Sequence, residues 1–248
     1  MAKKLEEEYG TKVLMNVPEV DQVDLSAFSE GKAKETRRFH ESIPAYNRTP
    51  MVQLRGLGGK LGVKGIFVKN EAERFGMKAF KGLGGTYAMF RILCRELGLD
   101  PGKVDFSEFQ KADVREKTAK YTFVTATDGN HGKGVSWASG LFGAHAYVYM
   151  PKGTVKAREE AVRQAGPAEV TVTDWNYDDT VKYAKKMSEE HGWFLIQDTS
   201  WDGYEEIPGW IMDGYLTMAS EAAEQIEAAG EIPTHVFLQA GVGSMAGA

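Results

Sequence analysis

Two lysines, a mixed polar loop, an aspartate after an apolar run and a late stretch of small residues are the chemistry-bearing features of this sequence. Lys78 and Lys81 lie together in GMKAFKGLGG. A lysine on a loop is ordinarily a solvated charge. Lys81, however, precedes a glycine-rich helix start, whose positive end favours the neutral amine, and its neighbours Ala79 and Phe80 are apolar, so desolvation acts in the same direction. A neutral amine is the nucleophile needed for a Schiff base with an aldehyde. Lys78 competes with it, and spacing alone does not separate the two.

The loop TDGNHGKG, residues 127 to 134, follows a strand-like run and precedes a helix-like one, an arrangement that commonly holds a phosphate. Asp128 would repel one, and Gly129, Gly132 and Gly134 do not have dinucleotide-loop spacing. Asp, Gly and Asn also suit a tight turn for purely conformational reasons. Functionally the loop reads as a polar rim: Asn130 can donate to a phenolate oxygen, backbone amides can hold a carboxylate, and Asp128 is a possible proton acceptor. His131 reads as a packing histidine. In QDTSWDGYEEIPGW, Asp198 ends another strand, and Trp201, Tyr204 and Trp210 suggest an enclosed pocket in which it is a second acid or base. AGVGSMAGA, residues 240 to 248, is either a close-packed strand-to-helix turn or a cradle of backbone amides for a phosphate.

The elements that would position these groups follow from periodicity. Residues 1–48 read as a polar, irregular arm, and residues 65–70 as a short strand. Residues 74–81 read as a loop and residues 84–97 as a helix. Strands are predicted over 121–126, 144–150, 169–173, 193–197 and 235–239. Helices are predicted after the Asn130 loop, over 154–164, from an Asn176 or Asp178 cap to Glu190, and over 210–229. Strands alternating with helices of this length predict βαβ units and a parallel sheet, with ligands at the carboxyl ends of the strands.

Composition sets the outer bounds. A chain of 248 residues can build one large domain or two smaller ones, and a net charge of -5 argues against a general nucleic-acid binder. No apolar run approaches a membrane span, and MAKKLEEEYG lacks the apolar core of a secretory signal, so a cytoplasmic protein without a membrane partner is expected. The one cysteine, Cys94, lies in an amphipathic run and reads as a buried hydrophobe.

Taken together, the pre-helix lysine, the Asn-His glycine loop and the late glycine loop resemble the fold-type II pyridoxal-phosphate enzymes, the tryptophan synthase beta-like superfamily. Ala79-Phe80-Lys81 matches the superfamily's Ser-Phe-Lys and selects Lys81 over Lys78. Thr127 to Gly134 match its Asn loop, and the Met150-Pro151 turn followed by a helix and Ala168-Glu-Val also fits. Asp128, RFGMKAFKGLGG and QDTSWDGYEEIPGWIMDGY resemble the diaminopropionate ammonia-lyase family within it, from about residue 40 onward. The resemblance implies pyridoxal 5'-phosphate bound covalently by Lys81. It further implies that Asn130 contacts the cofactor's phenolic oxygen and that Gly241, Val242, Gly243, Ser244 and Met245 cradle its phosphate. It implies elimination of ammonia from D- and L-2,3-diaminopropionate, with Asp128 taking the α-proton of the D form and Asp198 that of the L form. It also implies a homodimer, no metal ligand set, and a two-domain α/β layout. Residues 1–82 would form the arm and part of the large domain, 83–205 the small α/β domain, and 206–248 the start of the large-domain core. Members of the superfamily continue well past the late glycine loop, so a C-terminally shortened chain is expected. Another fold-type II dehydratase, or an inactive fragment that only binds, stands as the alternative.

Overall fold

A computed structural model describes residues 28–248. The irregular arm expected over residues 1–48 falls partly outside that range, and inside it the chain forms a helix, α1 (Glu30–Glu41), capped by the Ser29 side chain. The apolar positions of α1 were masked in the sequence by its many charges, yet Ala33, Thr36, Phe39 and His40 are buried. A short antiparallel pair follows, β1 (Met51–Gln53) and β2 (Phe67–Lys69), enclosing α2 (Arg55–Leu61). Then come a 3-10 turn over Glu71–Gly76, helix α3 (Lys81–Leu97), a second 3-10 turn and α4 (Ala112–Thr118).

The regular part begins at β3 (Thr122–Ala126). It continues through α5 (Asn130–Phe142), β4 (His145–Met150), α6 (Lys156–Ala165), β5 (Glu169–Val172), α7 (Tyr177–His191), β6 (Phe194–Leu195) and α8 (Glu206–Ala228). Of the two caps offered by the sequence, Asn176 and not Asp178 caps α7, its side chain accepting from the Asp179 amide at 2.9 Å. The four strands form a parallel sheet in the order β5-β4-β3-β6. Helices cover both faces. Phe123 and Val148 face a core built with α3, α5 and α8, while Val124, Ala126, Tyr149 and Leu195 face Ala184 and its neighbours on α7. Burial on both faces explains why β3 reads as a nearly continuous apolar run.

The strand order carries the functional consequence. From β3 the chain winds outward through β4 and β5, then returns to place β6 on the other side of β3. The boundary between β3 and β6 is therefore the switch point of the sheet, where the loops after the two strands diverge and leave a crevice. Thr127 to Asn130 leave β3 at that crevice, and Asp198 follows β6 at the same edge.

Two buried polar clusters fix the helices around it. His40 of α1 bridges Thr217 of α8, at 2.7 Å from Nδ1, and the Leu83 carbonyl of α3, at 3.0 Å from Nε2. Complete burial pushes this imidazole down to about 3, so it is neutral. Arg74, fully buried, forms a two-pronged pair with Glu221 at 2.9 and 2.8 Å and a second with Glu71 at 2.9 and 2.8 Å. Lys69 and Tyr46 complete the coordination of Glu221 at 2.5 and 2.8 Å.

The strand expected over His235–Gln239 is not formed; the segment is exposed, with Phe237 at 91% and Val236 at 72%. An extended run becomes a strand only when a neighbour supplies its hydrogen bonds, and none of the described strands lies beside it. The late glycine stretch ends in a single turn, α9 (Ser244–Gly247).

Candidate active site

Lys81 is the first residue of α3, and its amine donates to Asp198 Oδ2 at 2.7 Å. Lys78, by contrast, is exposed and lies on the preceding loop in the left-handed region at φ 56°. The structure thus brings Lys81, and not Lys78, to the carboxylate after β6. Phe80 and Tyr215 flank the amine, with ring centroids 5.5 and 5.6 Å from Nζ. The sequence reading supplied apolar neighbours and a helix end for Lys81; the carboxylate partner comes from a residue 117 positions away and was not legible there.

Helix α3 is held at this place by close contact with α5. A Cβ added to Gly134 would lie 2.9 Å from the Lys81 carbonyl oxygen, and one on Gly85 would lie 3.3 Å from the Gly134 carbonyl carbon. The two backbones meet where only hydrogen side chains fit, which sets Lys81 directly over the first turn of α5.

The turn into α5 is organised by Thr127. Its buried hydroxyl accepts from the Gly129 and Gly132 amides, both at 3.0 Å. Gly129 adopts φ 149°. The outcome is an exposed Asp128 and an exposed Asn130 at the rim, and a buried His131 beneath. The Arg158 side chain reaches the Asp128 carbonyl at 3.4 Å, and a cleft of about 300 Å³ lined by Asp128, Lys152, Thr154 and Arg158 opens beside it.

Asp198 is 6% exposed. Burial opposes its ionisation, but His131 and Lys81 beside it hold the carboxyl below its usual range. Burial also holds the His131 imidazole down, so at neutral pH it is uncharged. The Lys81 amine lies 2.7 Å from Asp198 Oδ2 and the imidazole Nδ1 3.7 Å from it. The backbone that carries Asp198 is tied down on several sides. The Ile196 amide donates to the Val124 carbonyl at 2.8 Å, extending the β3–β6 pairing past the last strand residue. Gln197, fully buried, replaces the next backbone bond by accepting from the Ala126 amide at 3.1 Å through its side chain. Tyr204 accepts from the Gln197 amide and donates to the Leu195 carbonyl, both at 2.9 Å.

The residues of the late glycine loop lie on the same side. Gly241 and Val242 are exposed, Gly243 is left-handed at φ 94°, Ser244 is buried and Met245 is half-buried. Ser244 Oγ donates to the Asp198 main-chain carbonyl at 2.8 Å. Lys81, Asp198 and Ser244 are joined by hydrogen bonds, while Asp128 and Asn130 lie at the rim after β3, Asn130 making no side-chain hydrogen bond to any described residue. His131 is packed as expected, though its place beside Asp198 was not foreseen, and Tyr215, 17 residues beyond Asp198 on α8, was missed because only the fold brings it back. Cys94 is buried as expected, its thiol pushed up to about 12 by burial. Among the described residues no cluster of His, Cys, Asp and Glu could hold a metal ion, and no helix is long and apolar enough to cross a membrane.

The donor set fits a phosphorylated aldehyde. A primary amine stands at the base of the crevice, an amide side chain at its rim, and a loop of small residues beside it. Of the four buried side-chain polar atoms that lack a partner among the described residues, His131 Nδ1, Thr199 Oγ1 and Tyr215 Oη belong to residues around Lys81 and Asp198, so buried polar capacity is left unused here.

Comparison with known proteins agrees. The family model described as "Pyridoxal-phosphate dependent enzyme" matches residues 43–248. The diaminopropionate ammonia-lyase of Escherichia coli (strain K12) is 50% identical over 220 residues, 89% of this chain and 54% of the relative. A crystal structure of the Escherichia coli enzyme in complex with D-serine superposes with a TM-score of 0.85 at 48% identity, covering 89% of this chain and 55% of that one. Another, in complex with an aminoacrylate-PLP azomethine reaction intermediate, gives 0.82 at 48% identity with the same coverage of 89% and 55%. The chain spans about half the length of the curated relatives it matches.

Proposed function

This chain belongs to the pyridoxal-phosphate dependent enzyme family, and from that premise we propose that it carries the amine and both acid–base groups of a lyase acting on 2,3-diaminopropionate. The reaction consumes one water and yields pyruvate and two molecules of ammonia. The observation that carries the reading is the Lys81 amine on the Asp198 carboxylate at 2.7 Å, at the switch point of the parallel sheet.

Lys81 would hold the cofactor through its amine, Asn130 would donate to its phenolic oxygen, and the backbone of 241–245 with Ser244 would take its phosphate. Once bound, pyridoxal phosphate supplies an electron sink for the pair left when an α-proton is removed. The chain's residues do the rest. Asp198, on the β6 side and held below the usual carboxylate range by its neighbours, accepts the α-proton of the L substrate at Oδ2. Asp128, on the β3 side and open to solvent, accepts that of the D substrate. Two bases are needed because the α-hydrogens of the enantiomers project from opposite faces. Phe80 and Tyr215 wall the amine from water on its helix side. We further propose the division at residues 82 and 205 into parts of a large domain and a small α/β domain, and a homodimer of the complete enzyme.

Ammonia release by Lys81→Ala, and by Asp128→Asn and Asp198→Asn on each enantiomer, tests the reading. Loss with Lys81→Ala and opposite enantiomer preferences for the two aspartate variants are expected. Unchanged release by Lys81→Ala, or equal losses on both substrates, would sink it.

A further inference from the structure

His131 is 4% exposed and is the second residue of α5, directly under the Asp128–Asn130 rim. Its Nε2 lies 2.8 Å from the Ile196 carbonyl oxygen. A carbonyl only accepts, so Nε2 carries the hydrogen, and in the neutral ring that burial favours Nδ1 carries the lone pair. That lone pair is buried, without a partner among the described residues, and 3.7 Å from Asp198 Oδ2. Two acceptors thus face each other across a gap about 0.7–1 Å longer than a hydrogen bond. Such a pair repels unless a proton stands between them, and the fold spends a fully buried imidazole on it.

We propose that His131 is the proton store behind Asp198, receiving at Nδ1 the proton that Asp198 takes up at Oδ2. The proposal rests on the reading of Asp198 as the base for the L substrate. In the step, the Oδ2–H bond of the carboxylic acid breaks and an Nδ1–H bond forms. Neutral acid and neutral imidazole become carboxylate and imidazolium, with no change in net charge. The Ile196 carbonyl stays bonded to Nε2–H throughout and fixes the ring so that Nδ1 closes on Oδ2 by a small rotation. The regenerated carboxylate is again the partner of Lys81. Burial lowers the affinity of the isolated imidazole for a proton, and the adjacent carboxylate raises it, so proton occupancy at Nδ1 follows the state of Asp198. The other groups facing this pair are Lys81 from α3, Tyr177 from α7, Tyr204 from the turn before α8 and Tyr215 from α8. Burial raises all three phenols, Tyr177 to about 12, so none of them takes or gives a proton at neutral pH. Asp128 is exposed at the rim, where solvent reaches it.

His131→Gln is the informative variant, because its amide nitrogen can still donate to the Ile196 carbonyl while the basic Nδ1 is gone. With the chain loaded with pyridoxal phosphate, L turnover is expected to fall about tenfold or more and D turnover to stay within about twofold, the scale of a lost acid–base group. Asp198→Asn is measured alongside. If Asp198→Asn spares the L substrate, the base assignment has failed and the store loses its donor. If Asp198→Asn abolishes L turnover while His131→Gln leaves the L/D ratio unchanged, only the store is overturned. Nitrogen-15 spectra of the unloaded chain decide independently of activity. The expected state at neutral pH is a bare Nδ1 with a proton on Nε2, and a proton on Nδ1 with a bare Nε2 overturns the proposal.

Discussion

Replacing Gly134 by alanine probes how the sequence places its lysine. The added Cβ would stand 2.9 Å from the Lys81 carbonyl oxygen, 3.0 Å from its carbon and 3.1 Å from the Gly82 nitrogen. All three are backbone atoms of the first turn of α3, so no side chain can swing away. Ordinary contact begins near 3.5 Å, so α3 and α5 must part by about 0.5 Å. Overpacking of this kind costs about 1–3 kcal/mol, and alanine's better helix preference offsets roughly 0.5–1 kcal/mol of it. A net loss of up to roughly 2.5 kcal/mol is expected in urea unfolding. The functional loss is larger in proportion, because a displacement of about 1 Å costs on the order of a hundredfold, and half of that shift at Lys81 implies roughly tenfold. The assay is the rate at which added pyridoxal phosphate becomes trapped on Lys81 by borohydride. Gly209→Ala in the first turn of α8, where no atom lies within 4 Å of the new Cβ, is the control and should be neutral or slightly stabilising. A Gly134→Ala chain that unfolds and loads like the wild type would show that the helix crossing does not set the position of Lys81.

Three further outcomes are expected. His40 binds no proton in the folded chain until about pH 3 but does so near 6.5 when unfolded, so stability falls as pH drops through that window. Between pH 7 and 5 it contributes a loss of about 2 kcal/mol, visible as a steeper pH slope in urea unfolding than that of His40→Gln; equal slopes would refute it. Arg74→Met leaves Glu221 and Glu71 buried without their partner and should cost about 3–5 kcal/mol, while Arg74→Met with Glu221→Leu should recover part of it; additive losses in the double-mutant cycle would refute the coupling. Tyr204→Phe removes the hydroxyl that joins the Gln197 amide to the Leu195 carbonyl and should cost about 1–3 kcal/mol and weaken L turnover more than D turnover; an unchanged L/D ratio would show that Asp198 is not positioned through this bond.

The alternating strands and helices from residue 121 to 229 were legible because their periodicity and stop signals are local. One of the two cap residues expected for α7, Asn176, caps it. What sequence could not supply was strand order, since nothing local says that β6 returns beside β3. Asp198 was recognised as an acid near the pocket, but its pairing with Lys81 depends on that order. His131 was set aside for the same reason: its partner, the Ile196 carbonyl, lies 65 residues away. The run 235–239 has strand composition, yet composition cannot provide the neighbour that a strand requires. Helix α1 was overlooked because its charged face dominates its composition while four residues of its other face are buried.

The hydrogen bond from Ser244 to the Asp198 carbonyl joins two segments that otherwise behave separately. Residues 232–242 are exposed, whereas Asp198 is held by the sheet through Ile196 and Gln197. A ligand that orders the loop through its amides therefore also restrains the backbone from which the Asp198 carboxylate hangs. Linkage makes the relation reciprocal: whatever fixes Asp198 tightens the loop's hold on that ligand by the same factor. If the proposed roles hold, anion binding at 241–245 and proton acceptance at Asp198 are linked through this bond, and Ser244→Ala would uncouple them.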